Sequence, residues 1–298
     1  MFPSRYSLTI FLIALAYFTA AAGAEDWSAD GVDRVVAISD VHGAYEAMVE
    51  TLENVGILDT NLTWAGGASH LVIVGDLLDR GPRSRDALDL LMRLETEAAA
   101  AGGAVQVLIG NHEMMNMIGD MRYVSKKEYA AFADDETREQ RGRWYRAWVR
   151  RSTRSASERQ KFEDIFPNGY FALREAFSPS GRYGKWLLEK NVIAVINRTA
   201  FVHGGLPPVV AEVGLDGVNR DLKQELIDYV EAVEVLMDAE VLLPTDAYYD
   251  YLDVLNDYMP PLNANAEVLD AVETVKRLDD AVVMHSDGPL WYLSLIHI

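Results

Sequence analysis

Four short apolar runs punctuate the chain: Val35-Val36-Ala37-Ile38, Leu71-Val72-Ile73-Val74, Val105-Gln106-Val107-Leu108-Ile109 and Thr199-Ala200-Phe201-Val202. Runs of that length and composition predict buried strands. Helices are predicted between them, at about Tyr45–Asn54 and Ser84–Ala100, the latter ending in alanines before the breaker Gly102-Gly103. This strand–helix alternation points to an α/β fold. From about Ser125 to Lys190 no strand-like run occurs, but Trp144, Tyr145, Trp148 and Phe162 fall at helical spacing. That predicts a helical insertion whose aromatics form its own core. A second helical block, about Asn219–Leu242, and an Asp/Tyr-rich stretch around Tyr248–Tyr258 follow, and either is a candidate wall for a cleft.

Each apolar run is followed directly by a polar motif. In order these are Asp40-Val41-His42-Gly43, Gly75-Asp76-Leu77-Leu78-Asp79-Arg80-Gly81, Gly110-Asn111-His112-Glu113 and His203-Gly204-Gly205. The polar residues therefore fall on loops at strand ends, the edge where sheet-based folds assemble their sites. Taken singly, each motif has a plain structural reading: a loop Asp-x-His, a turn with an ion pair, a helix cap. The ordered set reads instead as a two-metal phosphoesterase site. Hydrolysis of a phosphate ester needs a nucleophile at neutral pH and positive charge around the phosphoryl oxygens, and two metal ions roughly 3.5–4 Å apart supply both. In this reading Asp76 bridges the ions, Asp40 and His42 hold the first, and Asn111 and His203 hold the second. A metal-bridging hydroxide then attacks phosphorus in line. Asp, His, Asn and water ligands suit manganese, iron or zinc alike. Glu113 is assigned to the first turn of its helix and left out of the site.

The residues from about Arg34 to Tyr292 resemble the phosphoprotein phosphatases of the calcineurin-like metallophosphoesterase superfamily, within them the Shewanella-like branch. Beyond the shared motifs, the resemblance rests on Gly110 to Val124 (GNHEMMNMIGDMRYV), Phe177 to Leu187 (FSPSGRYGKWL) and Asp287-Gly288-Pro289-Leu290-Trp291-Tyr292. It implies a β-sandwich flanked by helices (α/β/β/α). It also implies that His112 is the general acid protonating the leaving oxygen, that Asp79 orients it, and that Arg80 grips the phosphate. The substrate class implied is a phosphoprotein or small phosphomonoester. A dinucleoside polyphosphate hydrolase of the same superfamily is the alternative enzyme, and a non-catalytic phosphoprotein-binding fragment the alternative outside enzymes.

Arg5, the apolar stretch Leu8 to Ala22 and the small-residue site Ala22-Gly23-Ala24 read as a signal peptide over residues 1–24. Export, as to a bacterial periplasm, follows as an expectation, with no stable membrane association after cleavage. The chain has no cysteine, which excludes disulfides and thiolate metal ligands. A formal charge of −19 argues against nucleic acid as a partner, and Asp134-Asp135-Glu136 reads as a solvated face. Residues 25–292 are expected to form one domain. In the resembling family Trp291-Tyr292 is followed by a phosphate-binding arginine and a later Gly-His-Thr, so the C-terminal strands are expected to be missing here. Leu293 to Ile298 resembles translated sequencing adapter. His70 and His285 lack a ligand-type setting and read as surface or satisfied core histidines.

Overall fold

A computed structural model describes residues 27–151 and 158–292. The expected signal segment and the last six residues lie outside the described residues. Every apolar run contributes a strand: β2 (Val35–Ile38), β3 (His70–Ile73), β4 (Ala104–Val107) and β6 (Thr199–Val202), joined by β1 (Ser28–Ala29) and β5 (Ile193–Ile196). They form two three-stranded sheets, ordered β2-β3-β4 and β1-β5-β6. The first is parallel throughout, with Val35 opposite His70 and His70 opposite Ala104. Parallel neighbours need a crossover, and α1 (Tyr45–Asn54) and α2 (Ser84–Ala100) provide the two. In the second sheet β1 runs parallel to β5 and β5 antiparallel to β6.

The strand period of two decides how the layers stack. Leu71 and Ile73 turn one way, into the main core with Leu88 and Leu91 of α2. Val72 turns the other way and meets Leu108, Ala194 and Ile196 in a separate small cluster between the sheets. Face-to-face burial of that kind makes a sandwich. The sheets are also laced at one point, where Ile109 N–H donates to Asn191 C=O at 2.9 Å.

Helix α3 (Asn111–Ile118) leads into the helical insertion: α4 (Lys126–Ala130), α5 (Arg138–Arg151), α6 (Arg159–Ile165), α7 (Tyr170–Ala176) and α8 (Arg182–Leu188). Its aromatics pack as the sequence suggests. Trp144, Trp148 and Phe162 are buried, and Phe162 stacks on Phe171 with ring centroids 5.8 Å apart. The Phe177–Leu187 motif fastens this insertion to the sandwich, because Tyr183 Oη donates to Asp89 and Trp186 Nε1 to Glu95, each at 2.9 Å. Helix α9 (Pro208–Gly217) and a π-turn at Val218–Leu222 precede α10 (Lys223–Asp238), which packs on α3 and on α12 (Ala266–Leu278); α11 (Tyr251–Asp257) lies between them in sequence. No helix among the described residues is long and apolar enough to cross a membrane.

Two sequence expectations change, and one element is new. The fourth run is a strand but not a buried one, since Thr199 and Ala200 are exposed on β6, at the edge of its sheet. Glu136 is no part of a solvated face: its carboxylate pairs with Arg141 at 2.9 Å and accepts Phe171 N–H at 2.9 Å, with a side chain only 1% exposed. Helix α12 was not anticipated, although Asn265 caps it by accepting Glu267 N–H at 3.0 Å.

Candidate metal centre

The motif loops are short and turn sharply, which forces unusual backbone on residues that are not glycine. Asp40, His42, Asp76, Asp79 and Arg80 have φ of 54°, 46°, 55°, 70° and 62°. Non-glycine residues in this region cost on the order of 1–3 kcal/mol each, and such strain clusters at functional sites. The loops hold one another in place. His42 N–H donates to Asp76 C=O and Gly43 N–H to Leu77 C=O, both at 2.9 Å, and Gly81 N–H returns to His42 C=O at 2.9 Å. Gly43 and Gly81 are required by this contact, because a Cβ on Gly43 would stand 2.9 Å from the Gly81 carbonyl carbon.

Asp76 lies at the centre. Its Oδ2 is 3.3 Å from Nε2 of His203, 3.6 Å from Nε2 of His42 and 3.9 Å from Nε2 of His112. Asp40, the exposed member, brings Oδ1 to 3.8 Å from Nε2 of His42. Two groups of potential donors result, His42–Asp76–His112 and Asp40–Asp76–His203, with Asp76 in both. Five of the eight residues singled out in the sequence fall in these groups, and Asn111, Asp79 and Arg80 lie beside them, against His203 and His112. His112, expected only as a general acid, also faces the first group. His285 stays outside, exposed beside Asp280 and Asp287. So does His70, half-buried at the start of β3, whose Nδ1 has no hydrogen-bond partner among the described residues.

The imidazoles are set up to offer lone pairs inward. His42 Nδ1 donates to Leu78 C=O at 2.8 Å and His203 Nδ1 to Val74 C=O at 2.9 Å. Each bond leaves Nε2 pointing at Asp76, the arrangement that outer hydrogen bonds give metal-binding histidines. Nε2 of His42 is buried with no partner. Asn111 brings its side-chain amide to 2.9 Å from Nε2 of His203 and within reach of both Asp76 oxygens. Although burial opposes it, contact with Asp76 pushes His203 up to about 9. Asp76 is held below the usual carboxylate range, against its burial, by His203 and the His112 N–H. An orphaned imidazole nitrogen, converging acceptors and a donor set of N and O atoms all fit divalent cations.

Beside this cluster His112 is locked in place. Its Nδ1 lies 2.6 Å from Asp79 Oδ2, both side chains being buried, and Arg80 Nη2 lies 3.1 Å from its Nε2. Its pKa is raised: burial pulls it down, and the Asp79 hydrogen bond with the Asp76 charge more than compensates.

Two further residues belong here: Asn116, which the sequence reading passed over, and Glu113, which it left out of the site. Asn116 donates Nδ2 to Asp79 Oδ1 at 3.1 Å and to His112 C=O at 2.9 Å. Glu113, fully buried, accepts N–H groups from Gly110, Asp76 and Leu77 at 2.8 Å and from Leu78 at 3.2 Å. It thus ties the second motif loop to the third, well beyond the helix-start role expected of it. Burial and the neighbouring Asp76 charge push its carboxyl up to about 7. The signals were faint: Asn116 follows His112 by four residues and so shares its helix face, and Glu113 stands three residues after Gly110, the capping-box spacing.

Strand-end loops from both sheets that converge on a carboxylate shared by two donor groups mark a metallohydrolase architecture, and the chain belongs to the calcineurin-like phosphoesterase family, whose profile matches residues 33–255. Among curated proteins it is similar to Shewanella-like protein phosphatase 2 of Arabidopsis thaliana, 36% identical over 208 residues, covering 64% of this chain and 51% of that one. Shewanella-like protein phosphatase 1 of Plasmodium berghei is 25% identical over 193 residues, 65% of this chain and 44% of that one. Among solved structures, the cold-active protein-tyrosine phosphatase of a psychrophilic Shewanella species matches with a TM-score of 0.57 and 25% identity, covering 91% of this chain and 60% of that one. The chain thus spans about half the length of these curated relatives.

Proposed function

We propose that this protein is a metal-dependent phosphatase that hydrolyses phosphomonoesters, phosphoprotein being the substrate class that its relatives' names support. The observation that carries the reading is Asp76, shared by two groups of inward-facing donors. Asp40, His42, Asp76, Asn111 and His203 are the residues that would hold two divalent ions. When bound, such ions polarise phosphoryl oxygens and supply a hydroxide nucleophile at neutral pH.

The chain's own residues do the rest. Arg80, exposed at the mouth, presents a planar fork that matches two phosphate oxygens. His112, its Nδ1 bonded to Asp79, aims Nε2 at the side from which a leaving oxygen departs and gives it a proton. Asp79 stabilises the charged imidazole, Asn116 holds Asp79, and Glu113 keeps the Asp76 loop in register with Asn111.

The dinucleoside polyphosphate reading has narrower support. Similarity to the symmetrical bis(5'-nucleosyl)-tetraphosphatase of Salmonella paratyphi A is 33% over 78 residues, 26% of this chain. Manganese is the metal we propose to test first, and export is proposed from Arg5, Leu8 to Ala22 and Ala22-Gly23-Ala24. Mass spectrometry of the protein made in a bacterial host should find cleavage after Ala24; an intact N-terminus on exported protein contradicts it. For the activity, hydrolysis of an aryl phosphate should vanish on exhaustive metal removal and return with manganese. Full turnover by verified metal-free protein refutes the proposal.

A further inference from the structure

Apart from the metal centre, a cavity of about 660 Å³ opens between the helical insertion and α10. Its size falls within the range of about 300–1,000 Å³ that small-molecule pockets occupy, and its lining is mixed, an apolar floor edged by charged and polar side chains. The walls are Trp144, Phe171, Val230, Val233 and Met237, and Arg174 lies among them.

Arg174 carries a charge it cannot lose, yet no carboxylate pairs with it among the described residues. Its Nη2 donates to Tyr251 Oη at 3.1 Å and lies 3.7 Å from Met237 Sδ. Its Nε is buried and has no partner. The guanidinium rests against Gly119, the residue that ends α3, where a Cβ would collide with Nη1. A helix C-terminus offers only about half an elementary negative charge, so the guanidinium is left incompletely balanced, and a buried charge in that condition is unfavourable. The carboxylates around the cavity do not supply the remainder. Asp135 pairs with Arg85, Glu234 accepts from Ser178 and Ser180, Glu175 accepts from Gln140, and Glu139 and Asp238 are exposed.

We propose that this cavity is a binding site for a small amphiphilic monocarboxylate, its apolar body against Trp144, Phe171 and Val233 and its carboxylate on Arg174. One negative charge completes one guanidinium, whose fork suits two carboxylate oxygens. The site is independent of the metal centre and of the phosphatase reading.

The test is calorimetric titration of the full chain with octanoate, octan-1-ol and octylammonium. Octanoate should bind saturably at one per chain, octanol at least tenfold more weakly, and octylammonium most weakly. Arg174→Met should lower octanoate affinity at least tenfold and leave octanol unchanged. Val233→Trp, which fills the cavity with Arg174 intact, should abolish both. Equal affinity for octanoate and octanol in the parent, no saturable octanoate binding, or full octanoate affinity in both variants overturns the proposal; the first two readings need no variant to fold.

Discussion

Replacing Asn116 by alanine tests whether the buried Asn116–Asp79–His112 chain serves the departure of the leaving group. The side chain makes two hydrogen bonds, one to Asp79 Oδ1 at 3.1 Å and one to the His112 carbonyl at 2.9 Å. Its amide is only 3% exposed, so no water replaces it without rearrangement. A hydrogen bond to a charged group is worth about 1.5–3 kcal/mol. If all of that is lost when His112 gives up its proton, kcat falls about tenfold to about 150-fold, at roughly 1.4 kcal/mol per decade. The loss should be confined to substrates that need the proton. The assay compares a phosphoserine peptide, whose leaving alkoxide is strongly basic, with p-nitrophenyl phosphate, whose leaving group is stable as an anion. KM for both should stay near the parent value, and circular dichroism should show the fold intact. An equal loss on both substrates, or no loss on either, refutes the chain of positioning.

Three other outcomes are expected. His112→Asn should retain metal and lose about 10²–10⁴-fold in kcat on the phosphoserine peptide, the span of general acid catalysis, with a much smaller loss on p-nitrophenyl phosphate. Arg80→Lys should raise KM by about tenfold, because an ammonium cannot bind two phosphate oxygens at once; an unchanged KM removes Arg80 from that contact. Glu128 gives a pH test away from the metal centre. Burial, aided by the Asp79 charge, pushes its carboxyl from 4.5 up to about 7. The folded state therefore binds the extra proton, and this contribution to stability is full below about pH 4.5 and lost as pH rises to about 7, amounting to about 3 kcal/mol. In urea unfolding Glu128→Gln should lack that slope and exceed the parent at pH 8; parallel curves for the two proteins contradict it.

Local features of the fold were legible because they depend on local chemistry. Helices at Tyr45–Asn54 and Ser84–Ala100 lie where pattern and breakers put them, and each apolar run before a motif is a strand. The division into two sheets was legible only through the family resemblance, not from the local pattern. It depends on pairing such as Ser28 with Val195 and Leu108 with Asn191, contacts that join residues far apart in sequence. The same limit explains the site. Asp40, His42, Asp76, Asn111 and His203 announce themselves by residue type and spacing. Glu113 does not, because its partners are backbone N–H groups of a loop more than thirty residues away, and a side chain that binds backbone leaves no sequence signature at the other end. Glu136 was misread for a related reason: an acidic run looks solvated until Arg141 is folded against it. The Asp287-to-Tyr292 segment shows a further case. Its Pro289 carbonyl accepts Gly204 N–H at 3.0 Å and so supports the loop bearing His203, a role that only the fold reveals.

The central claim is that Asp76 serves both cation sites, and manganese titration of the metal-free protein followed by electron paramagnetic resonance tests it most directly. The parent should bind two ions per chain with spin coupling between them. Asp76→Asn should weaken both sites together and abolish the coupling, whereas Asn111→Ala should weaken one. If Asp76→Asn weakens a single site and leaves the other at parental affinity, Asp76 is not shared and the account is contradicted.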